Sequence, residues 1–335
     1  MNKLNRGGRM IKKYRTIPIK ILILEALLRR LPENHPKRPK IREELVRSYA
    51  GYRGEESLDY YLAQLPPDNY YIFQDLRIPI SKDTYFQIDI LLLTRRYFII
   101  YEAKNMLGTL FFDFNQLVRT YEEKEEIFPD PIVQVQNQQY HLDNLLKKHL
   151  NKTVPNTSFV VVTNPSSKIE INSQYHVAKQ KVIRNPAILP RFVTYSRQHP
   201  TDILDDRELQ KITRLLLKFH TPSQPDILSQ FQISIDEILP GLYCDRCMSL
   251  SIVKVDRTWK CQQCGIENDK AFIQAIIDYF LLIGATITNQ QCRAFIQHSS
   301  IYVVSRLLRS LKLPYKGSTK GRAYQLSLHD LQKWL

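Results

Sequence analysis

Three polar residues in otherwise apolar segments are the first candidates for chemistry in this sequence. Asp89 interrupts the apolar run at residues 86–93, and Glu102 and Lys104 lie at the end of the run at residues 97–104. Because side chains alternate along a β-strand, Glu102 and Lys104 point to the same face. Two carboxylates beside a lysine suit phosphodiester hydrolysis, since carboxylate oxygens hold Mg²⁺ and the cation lowers the pKa of a bound water. The lysine would orient that water and offset charge on the phosphate oxygens.

The same residues also fit a surface hairpin with ordinary solvated charges, because a Glu-x-Lys tripeptide alone is a weak motif. The surroundings favour a functional site. Asp89 and Glu102 both interrupt strongly apolar segments, and a charge inside such a strand is unfavourable unless it is paired or bound to a metal.

The elements that would position these residues predict a mixed α/β domain. Helical patterns and their boundary residues predict helices at 17–31, 41–64, 131–150 and 206–219. Segments rich in aromatic and β-branched residues predict strands at 70–80, 85–94 and 97–104. A short, fully apolar run predicts a buried strand at 158–163. Only Arg95 and Arg96 separate the second and third strands, so we expect a hairpin that brings Asp89 close to Glu102.

Four polar segments follow one another in the chain: Gly51-Tyr52-Arg53-Gly54-Glu55, Gln87-Ile88-Asp89, Glu102-Ala103-Lys104-Asn105 with Gly108, and Asp130-Pro131-Ile132-Val133-Gln134. In this order they resemble the nuclease-related (NERD) family, which is assigned to the PD-(D/E)xK nuclease fold. The resemblance covers about residues 45–165. Two departures from the family pattern are Asp130-Pro131, where the family often has Asn-Pro, and the lack of a proline before Asp89.

The resemblance implies a restriction-endonuclease-like core with a mixed sheet, and it implies roles for individual residues. The core of the site would be Asp89, Glu102 and Lys104. A further carboxylate near the Mg²⁺ or Mn²⁺ ion would come from Glu55, on the helix before the sheet. Gln134 would face the site from the helix that follows.

Two helix positions leave alternatives. Glu56 is the alternative to Glu55, because adjacent helix positions differ by about 100° in direction; we prefer Glu55. Gln134 and Gln138 lie one turn apart and are able to line the same cleft. We expect Gln138 to be exposed to solvent instead.

Four of the five cysteines form two Cys-x-x-Cys pairs, Cys244 with Cys247 and Cys261 with Cys264, which are separated by 13 residues. This spacing predicts a ribbon that holds structural Zn²⁺ through four thiolates, with no open position for water. A dithiol redox site is the competing interpretation, and two matched pairs argue against it. A ribbon of about thirty residues with almost no core is expected to need the metal to fold. Cys292 is expected to be a buried thiol in a helix.

The C-terminal region has the outline of a winged helix. Helices are expected at 270–283, 289–297 and 301–313, followed by a basic segment at 315–322 and a short strand at 323–328. Contacts to phosphates would position nucleic acid without reading its sequence. A small helical bundle with a basic face for protein contacts remains the alternative. The candidate nucleic-acid-binding residues are Arg306, Arg309, Lys312, Lys316, Lys320 and Arg322.

The charge of the chain suits a polyanionic partner, although it also suits a merely soluble protein. The formal net charge is +15 in 335 residues. Residues 1–53 hold 15 Lys and Arg against 4 Asp and Glu, residues 54–240 hold 20 against 23, and residues 241–335 hold 13 against 6. Two basic ends therefore flank a slightly acidic middle, which is the footprint expected of a protein that acts on nucleic acid.

Neither apolar segment predicts a membrane or export signal. Residues 17–28 are interrupted by Lys20 and Glu25 and lack a following cleavage site. Residues 271–287 contain Gln274 and Asp278 and are too short to span a bilayer. We therefore expect a soluble, cytoplasmic protein without a membrane partner.

The sequence predicts five parts: a basic N-terminal helical extension (1–44), a nuclease-like domain (45–165), a connecting helical region (166–240), a zinc ribbon with four cysteine ligands (241–269) and a winged-helix-like module (270–335). The preferred function is a nuclease that depends on Mg²⁺ or Mn²⁺ and acts on DNA, with the zinc ribbon and the winged-helix-like module holding the substrate. The alternatives are a regulator that binds nucleic acid on an inactive nuclease-like scaffold, and an interaction protein within a larger assembly.

Overall fold

The computed structural model describes residues 10–66, 70–318, 321–327, 330, 331 and 334. Its strands are β1 Met10–Lys13, β2 Tyr71–Pro79, β3 Tyr85–Leu93, β4 Phe98–Lys104, β5 Thr109–Asp113, β6 Gln116–Tyr121, β7 Lys124–Pro129, β8 Asn156–Val162, β9 Lys168–Ile171, β10 Val182–Arg184, β11 Leu242–Cys244, β12 Ser249–Val255, β13 Thr258–Cys261, β14 Thr286–Thr288, β15 Tyr315–Lys316 and β16 Ala323–Gln325. Its α-helices are α1 Ile19–Arg30, α2 Arg38–Leu62, α3 Pro131–Leu150, α4 His176–Lys181, α5 Ile188–Gln198, α6 Asp206–Phe219, α7 Ile227–Phe231, α8 Ala271–Leu282, α9 Asn289–Ile296 and α10 Ile301–Ser310.

The chain divides into two compact units, and each unit combines two separate segments. One unit joins the chain up to Thr16 with Tyr49–Ser223, and the other joins Ile17–Ser48 with the chain from Gln224 onward. The five-part division expected above stays a prediction.

The first unit is built on a six-stranded mixed sheet with the strand order β1-β2-β3-β4-β8-β10. The strands β2, β3 and β4 are antiparallel neighbours, whereas β8 runs parallel to β4 and β10 runs parallel to β8. The hairpin at Arg95 and Arg96 pairs Leu93 with Phe98. The mixed α/β architecture expected from the sequence is confirmed.

Helices cover both faces of this sheet because each carries an apolar stripe. On one face, α3 and α6 bury Leu142, Leu146, Leu209, Ile212 and Leu216 against strand residues such as Phe73, Leu91 and Phe98. On the other face, α2 and α5 bury Leu58, Leu62, Ile188 and Phe192 against Ile72, Ile90 and Ile99.

A second sheet in the first unit was not expected from the sequence. It has four strands in the order β7-β6-β5-β9. The hairpin from β6 to β7 turns at Glu122 and Glu123, both of which have positive φ angles (49° and 62°). Glycine and asparagine are the usual residues in such turns, so this one carries no sequence signal.

The second unit has its own core, in which residues near the N-terminus pack with residues near the C-terminus. Leu24 and Leu27 of α1 share a cluster with Phe272 and Ile276 of α8. A fully buried ion pair joins the same two helices, because Nε of Arg30 lies 2.8 Å from Oδ2 of Asp278.

The second unit also contains two three-stranded sheets. The strands β11, β12 and β13 form an antiparallel ribbon in that order. Further along the chain, α8, β14, α9, α10, β15 and β16 follow one another, and their strands pair in the order β14-β16-β15. Among the described helices, none has the length and apolar character needed to cross a membrane.

Candidate active site and metal centre

The centre of the candidate site is Glu102, which lies near the end of β4 and is 3% exposed. Its Oε1 accepts hydrogen bonds from Nζ of Lys104 (2.8 Å) and from Nε2 of Gln134 (2.7 Å). Its Oε2 accepts one from Nε2 of Gln138 (2.8 Å). Lys104 also donates to Oε1 of Gln134 (3.0 Å). The structure therefore brings three of the candidate site residues, Glu102, Lys104 and Gln134, into direct contact.

The expected exposure of Gln138 was wrong. Its side chain is 3% exposed because it points from α3 into the sheet and donates to Glu102. The register of α3 explains this, since Gln138 lies three and four residues from Val135 and Leu142, which are both buried. Gln134 lies at the exposed end of the same stripe.

The start of α3 is held firmly, which fixes where the two glutamines lie. Asp130 caps the helix by accepting a hydrogen bond from the backbone N–H of Ile132 (2.8 Å), and Pro131 occupies the first helical position. The phenol of Tyr175 donates to the other carboxylate oxygen of Asp130. The Asp130-Pro131 pair therefore sets the start of the helix that carries Gln134 and Gln138.

Asp89 lies across the β3–β4 hairpin from Glu102. The register pairs Ile90 with Tyr101, so the next step along both strands places Asp89 opposite Glu102. Oδ2 of Asp89 accepts a hydrogen bond from the backbone N–H of Ala103 (2.8 Å). Burial raises the pKa of Asp89 well above its ordinary value, and the negative charges of Glu102 and Glu55 raise it further.

Glu55 lies on α2 and faces inward, whereas Glu56 is exposed. Nε of Arg15 lies 3.0 Å from Oε2 of Glu55, and this arginine side chain is 4% exposed. Burial raises the pKa of Glu55 to about 7; Arg15 opposes this rise, and Asp75 adds to it. The choice of Glu55 over Glu56 as the inward residue agrees with the structure.

Close packing between α2 and the end of β4 explains two motif residues. A Cβ on Gly54 would lie 2.5 Å from Cβ of Asn105, so no larger residue fits without displacement. Nδ2 of Asn105 in turn donates to the carbonyl of Ala50 (2.8 Å). This contact places Glu55, the next residue on α2, beside the sheet.

Gly108 is needed for its backbone conformation. Its φ angle is +99°, and a Cβ there would lie 2.3 Å from the carbonyl oxygen of Thr120. Only glycine adopts this angle without strain. Gly108 therefore allows the chain to leave β4 and enter β5.

The sequence reasoning missed two further charged residues near the site. Arg15 comes from the segment after β1, and no local pattern pairs it with Glu55, which is 40 positions away. Asp75 lies within β2 with a positive φ angle of 52°, an unfavourable conformation that is enriched at functional sites. Burial raises its pKa, while Lys13 opposes the rise. The consecutive polar residues Gln74 and Asp75 in an apolar strand were the available signal.

The three carboxylates of the candidate site are only partly arranged as ligands for a divalent cation. Asp89 and Glu102 are neighbouring oxygen donors in a buried place, and their mutual repulsion is what a hard cation relieves. Glu55 is held by Arg15. Among the described residues, the one group of three or more His, Cys, Asp or Glu side chains whose ligand atoms lie within 4.8 Å of one another is formed by the four cysteines. The three carboxylates are therefore more widely spaced than that.

The four cysteines are arranged as a metal centre. Their sulfur atoms all lie within 4.8 Å of one another, and the sulfurs of Cys244 and Cys264, like those of Cys247 and Cys261, are 3.8 Å apart. Tetrahedral Zn²⁺ with bonds of about 2.3 Å would place its sulfur ligands about 3.8 Å apart. The cluster therefore fits a zinc ribbon. Cys292 lies in α9 and is fully buried, and burial raises the pKa of its thiol to about 12.

The ribbon is not a separate minimal domain. Leu242, Ile252 and Trp259 of its strands belong to the core of the second unit, together with residues of α1 and α8. The expectation that the ribbon has almost no core was therefore wrong, because the ribbon shares a core that distant segments provide.

The C-terminal basic residues differ in their exposure to solvent. Arg306, Arg309, Lys312 and Lys316 are exposed. Arg322 is partly buried, with its guanidinium 4.1 Å from the ring centre of Tyr315. Lys320 lies outside the residues that the structure describes.

Comparison with known proteins identifies the class of domain. Residues 50–163 match the family model of the nuclease-related domain, NERD. This match covers about a third of the chain and contains Glu55, Asp89, Glu102, Lys104 and Gln134. No curated protein and no solved structure matches the chain significantly. The resemblance seen in the sequence is therefore confirmed: the chain contains a nuclease-related domain and a four-cysteine cluster that fits a zinc ribbon.

Proposed function

We propose that this protein is a divalent-metal-dependent nuclease that hydrolyses phosphodiester bonds of DNA. One observation carries the proposal. Within the nuclease-related domain, a buried carboxylate, Glu102, lies opposite a second carboxylate, Asp89, and contacts Lys104 directly. This is the combination of oxygen ligands and a cationic side chain that phosphodiester hydrolysis requires.

The carboxylates of Asp89 and Glu102 would hold Mg²⁺ or Mn²⁺, with Glu55 as a further ligand after it separates from Arg15. When bound, the cation would polarise the phosphate and make a water more acidic. Gln134 and Gln138 donate to the two oxygens of Glu102 and so hold its carboxylate plane in one orientation. Fixed donors of this kind preorganise a site before substrate arrives.

Lys104 acts as a fixed positive charge in this proposal. Burial alone would lower its pKa, but Glu102 and Asp89 outweigh that effect and raise the pKa above its ordinary value. Lys104 therefore stays protonated at neutral pH and donates hydrogen bonds. Its role is to orient the attacking water and to offset charge on the phosphate oxygens, not to remove a proton.

The order of elements supports the PD-(D/E)xK assignment. The helix α2 precedes the three antiparallel strands β2 to β4, and α3 leads to β8, which pairs parallel to β4. Glu102 and Lys104 lie on the last strand of the antiparallel set, next to the parallel one. This arrangement supports the assignment implied by the sequence motifs.

In the second unit, the segment from α8 to β16 supports the proposal of a winged-helix module that holds DNA. Its three helices and three strands follow the order helix, strand, helix, helix, strand, strand, and β16 lies between β14 and β15. α10 exposes Arg306 and Arg309, and Tyr302 at its start is 88% exposed. These side chains are suited to phosphate contacts.

A second candidate is a nucleic-acid-binding protein without turnover. The observation that favours it is the contact between Arg15 and Glu55, because an arginine in this place substitutes for a cation. If Arg15 stays paired with Glu55, then Glu55 is not a metal ligand, and the domain serves as a scaffold if Asp89 and Glu102 alone hold no catalytic metal.

A cleavage assay separates the two candidates. Supercoiled plasmid, linear duplex and single-stranded DNA are incubated with the wild type, Asp89→Asn or Lys104→Ala, with Mg²⁺, Mn²⁺ or EDTA. The matched control is Glu170→Gln, because the side chain of Glu170 in the same unit is 43% exposed and, within the described part of the chain, forms an ion pair with Lys168 alone. We expect metal-dependent cleavage that both site variants reduce at least about 100-fold and that the control leaves unchanged.

Two results would contradict the nuclease. Cleavage that survives in Asp89→Asn and Lys104→Ala would indicate a different active site or a contaminant. DNA binding by all four proteins without cleavage of any substrate would support the non-catalytic candidate. Circular dichroism of each variant verifies that a loss of cleavage does not arise from unfolding.

A further inference from the structure

A stripe of four positive side chains runs along the solvent side of α6, in the first unit. Arg207, Lys211, Arg214 and Lys218 are all exposed. Their spacing of four, three and four residues places them on one helical face. The opposite face of α6 buries Leu209, Ile212 and Leu216 in the core, so the direction of the stripe is fixed.

Within the part of the chain that the structure describes, acidic side chains do not neutralise this stripe. Among the described residues, none of its four members pairs with a carboxylate. The acidic residues at the start of α6 have other partners: Asp205 caps the helix through the N–H of Glu208 (2.8 Å), Asp206 pairs with Arg95, and Glu208 pairs with Lys152 (2.7 Å).

The stripe is unusual for a structural surface. Like charges spaced at three or four residues repel each other and destabilise a helix, and solvated helix faces ordinarily mix the two signs. Residues 54–240 carry more Asp and Glu than Lys and Arg (23 against 20). A general excess of basic residues therefore does not account for four cations on one face.

The helix that carries the stripe packs on the same face of the sheet as α3, which carries Gln134 and Gln138. α6 packs beside α3 on the same face of the sheet, through Leu142 and Leu146 of α3. Nζ of Lys211 donates to the carbonyl of His149 near the end of α3 (2.7 Å). The helix that brings Gln134 and Gln138 to Glu102 therefore also supports the stripe.

The chemistry of the stripe fits a phosphate backbone and not exposed bases. The four side chains line a shallow groove of about 370 Å³ together with Gln210 and Leu215. None of the described residues that line this groove is aromatic, so base stacking has no platform there. From Arg207 to Lys218 the helix rises about 16 Å, which matches the axial length of about five base pairs of duplex DNA.

We propose that the α6 stripe binds the phosphate backbone of duplex DNA and guides it to the candidate active site. The guiding role rests on the proposed nuclease function, whereas binding itself does not. Two guanidinium and two ammonium groups would contact phosphates without reading sequence. This assigns a substrate-binding surface to a helix that the sequence placed in a connecting region.

The test compares two variants of the full chain that lose the same charge. In the stripe variant, Arg207, Lys211, Arg214 and Lys218 become Gln. In the control variant, four other exposed residues of the first unit become Gln: Lys82, Lys124, Lys168 and Lys179. Fluorescence anisotropy with a labelled duplex measures Kd over a series of NaCl concentrations, without added divalent cation. Cleavage of linear duplex with Mg²⁺ is measured in parallel.

We expect the stripe variant to bind duplex DNA about 10-fold more weakly at 0.1 M salt. The slope of its plot of log affinity against log salt concentration becomes shallower by about 2 to 4 units, because each lost phosphate contact reduces the slope by about 0.9. The control variant keeps the wild-type slope. Equal losses in both variants, or no loss in the stripe variant, overturn the inference.

The two proposals fail separately. If the stripe variant keeps wild-type affinity and the wild type cuts DNA, the proposed role of the stripe is contradicted but the proposed nuclease function is not. If the stripe variant binds DNA more weakly and the wild type cuts no DNA, the proposed nuclease function is contradicted and the DNA-binding role of the stripe is supported. Circular dichroism of both variants verifies that their folds are equivalent.

Discussion

At the level of single residues, the candidate site is a set of buried charges whose partners come from four different elements. Glu102 is contacted from its own strand by Lys104 and from α3 by Gln134 and Gln138. Asp89 comes from β3 and Glu55 from α2. Burial raises the pKa of both of these carboxyl groups. The site is therefore under electrostatic strain that protonation or a cation relieves.

Glu55 makes this strain measurable through the pH dependence of stability. Its folded-state pKa of about 7 lies above its ordinary value of 4.5. The folded state therefore binds the proton more tightly, and the contribution of Glu55 to stability is greatest below about pH 4.5 and is lost as the pH rises to about 7. Relative to Glu55→Gln, the wild type should lose stability across this range and then level off.

Urea unfolding at pH 5, 6, 7 and 8 without divalent cations checks this prediction. The control is Glu56→Gln, because Glu56 is adjacent on α2 but exposed. This variant keeps Glu55 and should therefore lose stability over the same pH range as the wild type does. If the difference in free energy of unfolding between Glu55→Gln and the wild type does not change with pH, the raised pKa of Glu55 is contradicted.

At the level of elements, the approach of α2 to β4 determines whether Glu55 reaches the site. Gly54 and Asn105 are in contact, and a Cβ on Gly54 would lie 2.5 Å from Cβ of Asn105. By contrast, a Cβ on Gly51 of the same helix would meet nothing within 4 Å. The two glycines of this motif segment therefore have different roles.

Replacing each glycine with alanine tests the difference. Gly54→Ala should lower the free energy of unfolding by about 1 to 3 kcal/mol, because two elements must separate. It should also reduce cleavage, since Glu55 moves with the helix. Gly51→Ala should leave stability unchanged or raise it by up to about 1 kcal/mol, because alanine favours a helix. Chemical denaturation measures the free energy of unfolding of both variants. Equal changes in the two variants would contradict the close packing at Gly54.

At the level of the whole molecule, the second unit is assembled from distant segments around the ribbon. Leu24 of α1, Ile252 and Trp259 of the ribbon and Phe272 of α8 share one core. The buried pair of Arg30 and Asp278 links residues 248 positions apart. A metal bound at the four cysteines would therefore support the whole unit, in addition to the two Cys-x-x-Cys segments that hold it.

Loss of a cysteine ligand should therefore remove the metal and weaken the unit. We expect one zinc per chain in the wild type and none in Cys247→Ser, with a lower midpoint of thermal unfolding. Cys292→Ala should keep its zinc, because Cys292 lies in α9 outside the cluster. Elemental analysis measures the zinc content, and calorimetry measures the midpoint of thermal unfolding. Full zinc content in Cys247→Ser would rule out four-thiolate binding.

Local patterns in the chain were sufficient for much of the first unit. Aromatic and β-branched residues predicted β2, β3 and β4, and the two-residue gap at Arg95 and Arg96 predicted the hairpin of β3 and β4. The bounds predicted for the helices at residues 131–150 and 206–219 agree with α3 and α6. The cysteine spacing predicted the four-sulfur cluster. These features depend on residues close in sequence, where periodicity and motif spacing carry the information.

Long-range packing decided the remaining features, because their partners are far apart in sequence. Arg15 contacts Glu55 across 40 positions, and α1 packs with α8 across about 250. Gln138 is buried because the register of α3 against the sheet turns it toward Glu102, a direction that polarity alone does not indicate. The turn at Glu122 and Glu123 has positive φ angles in residues that seldom adopt them. Side-chain type and local spacing specify such contacts weakly, since burial and charge compensation are settled only when the whole fold forms.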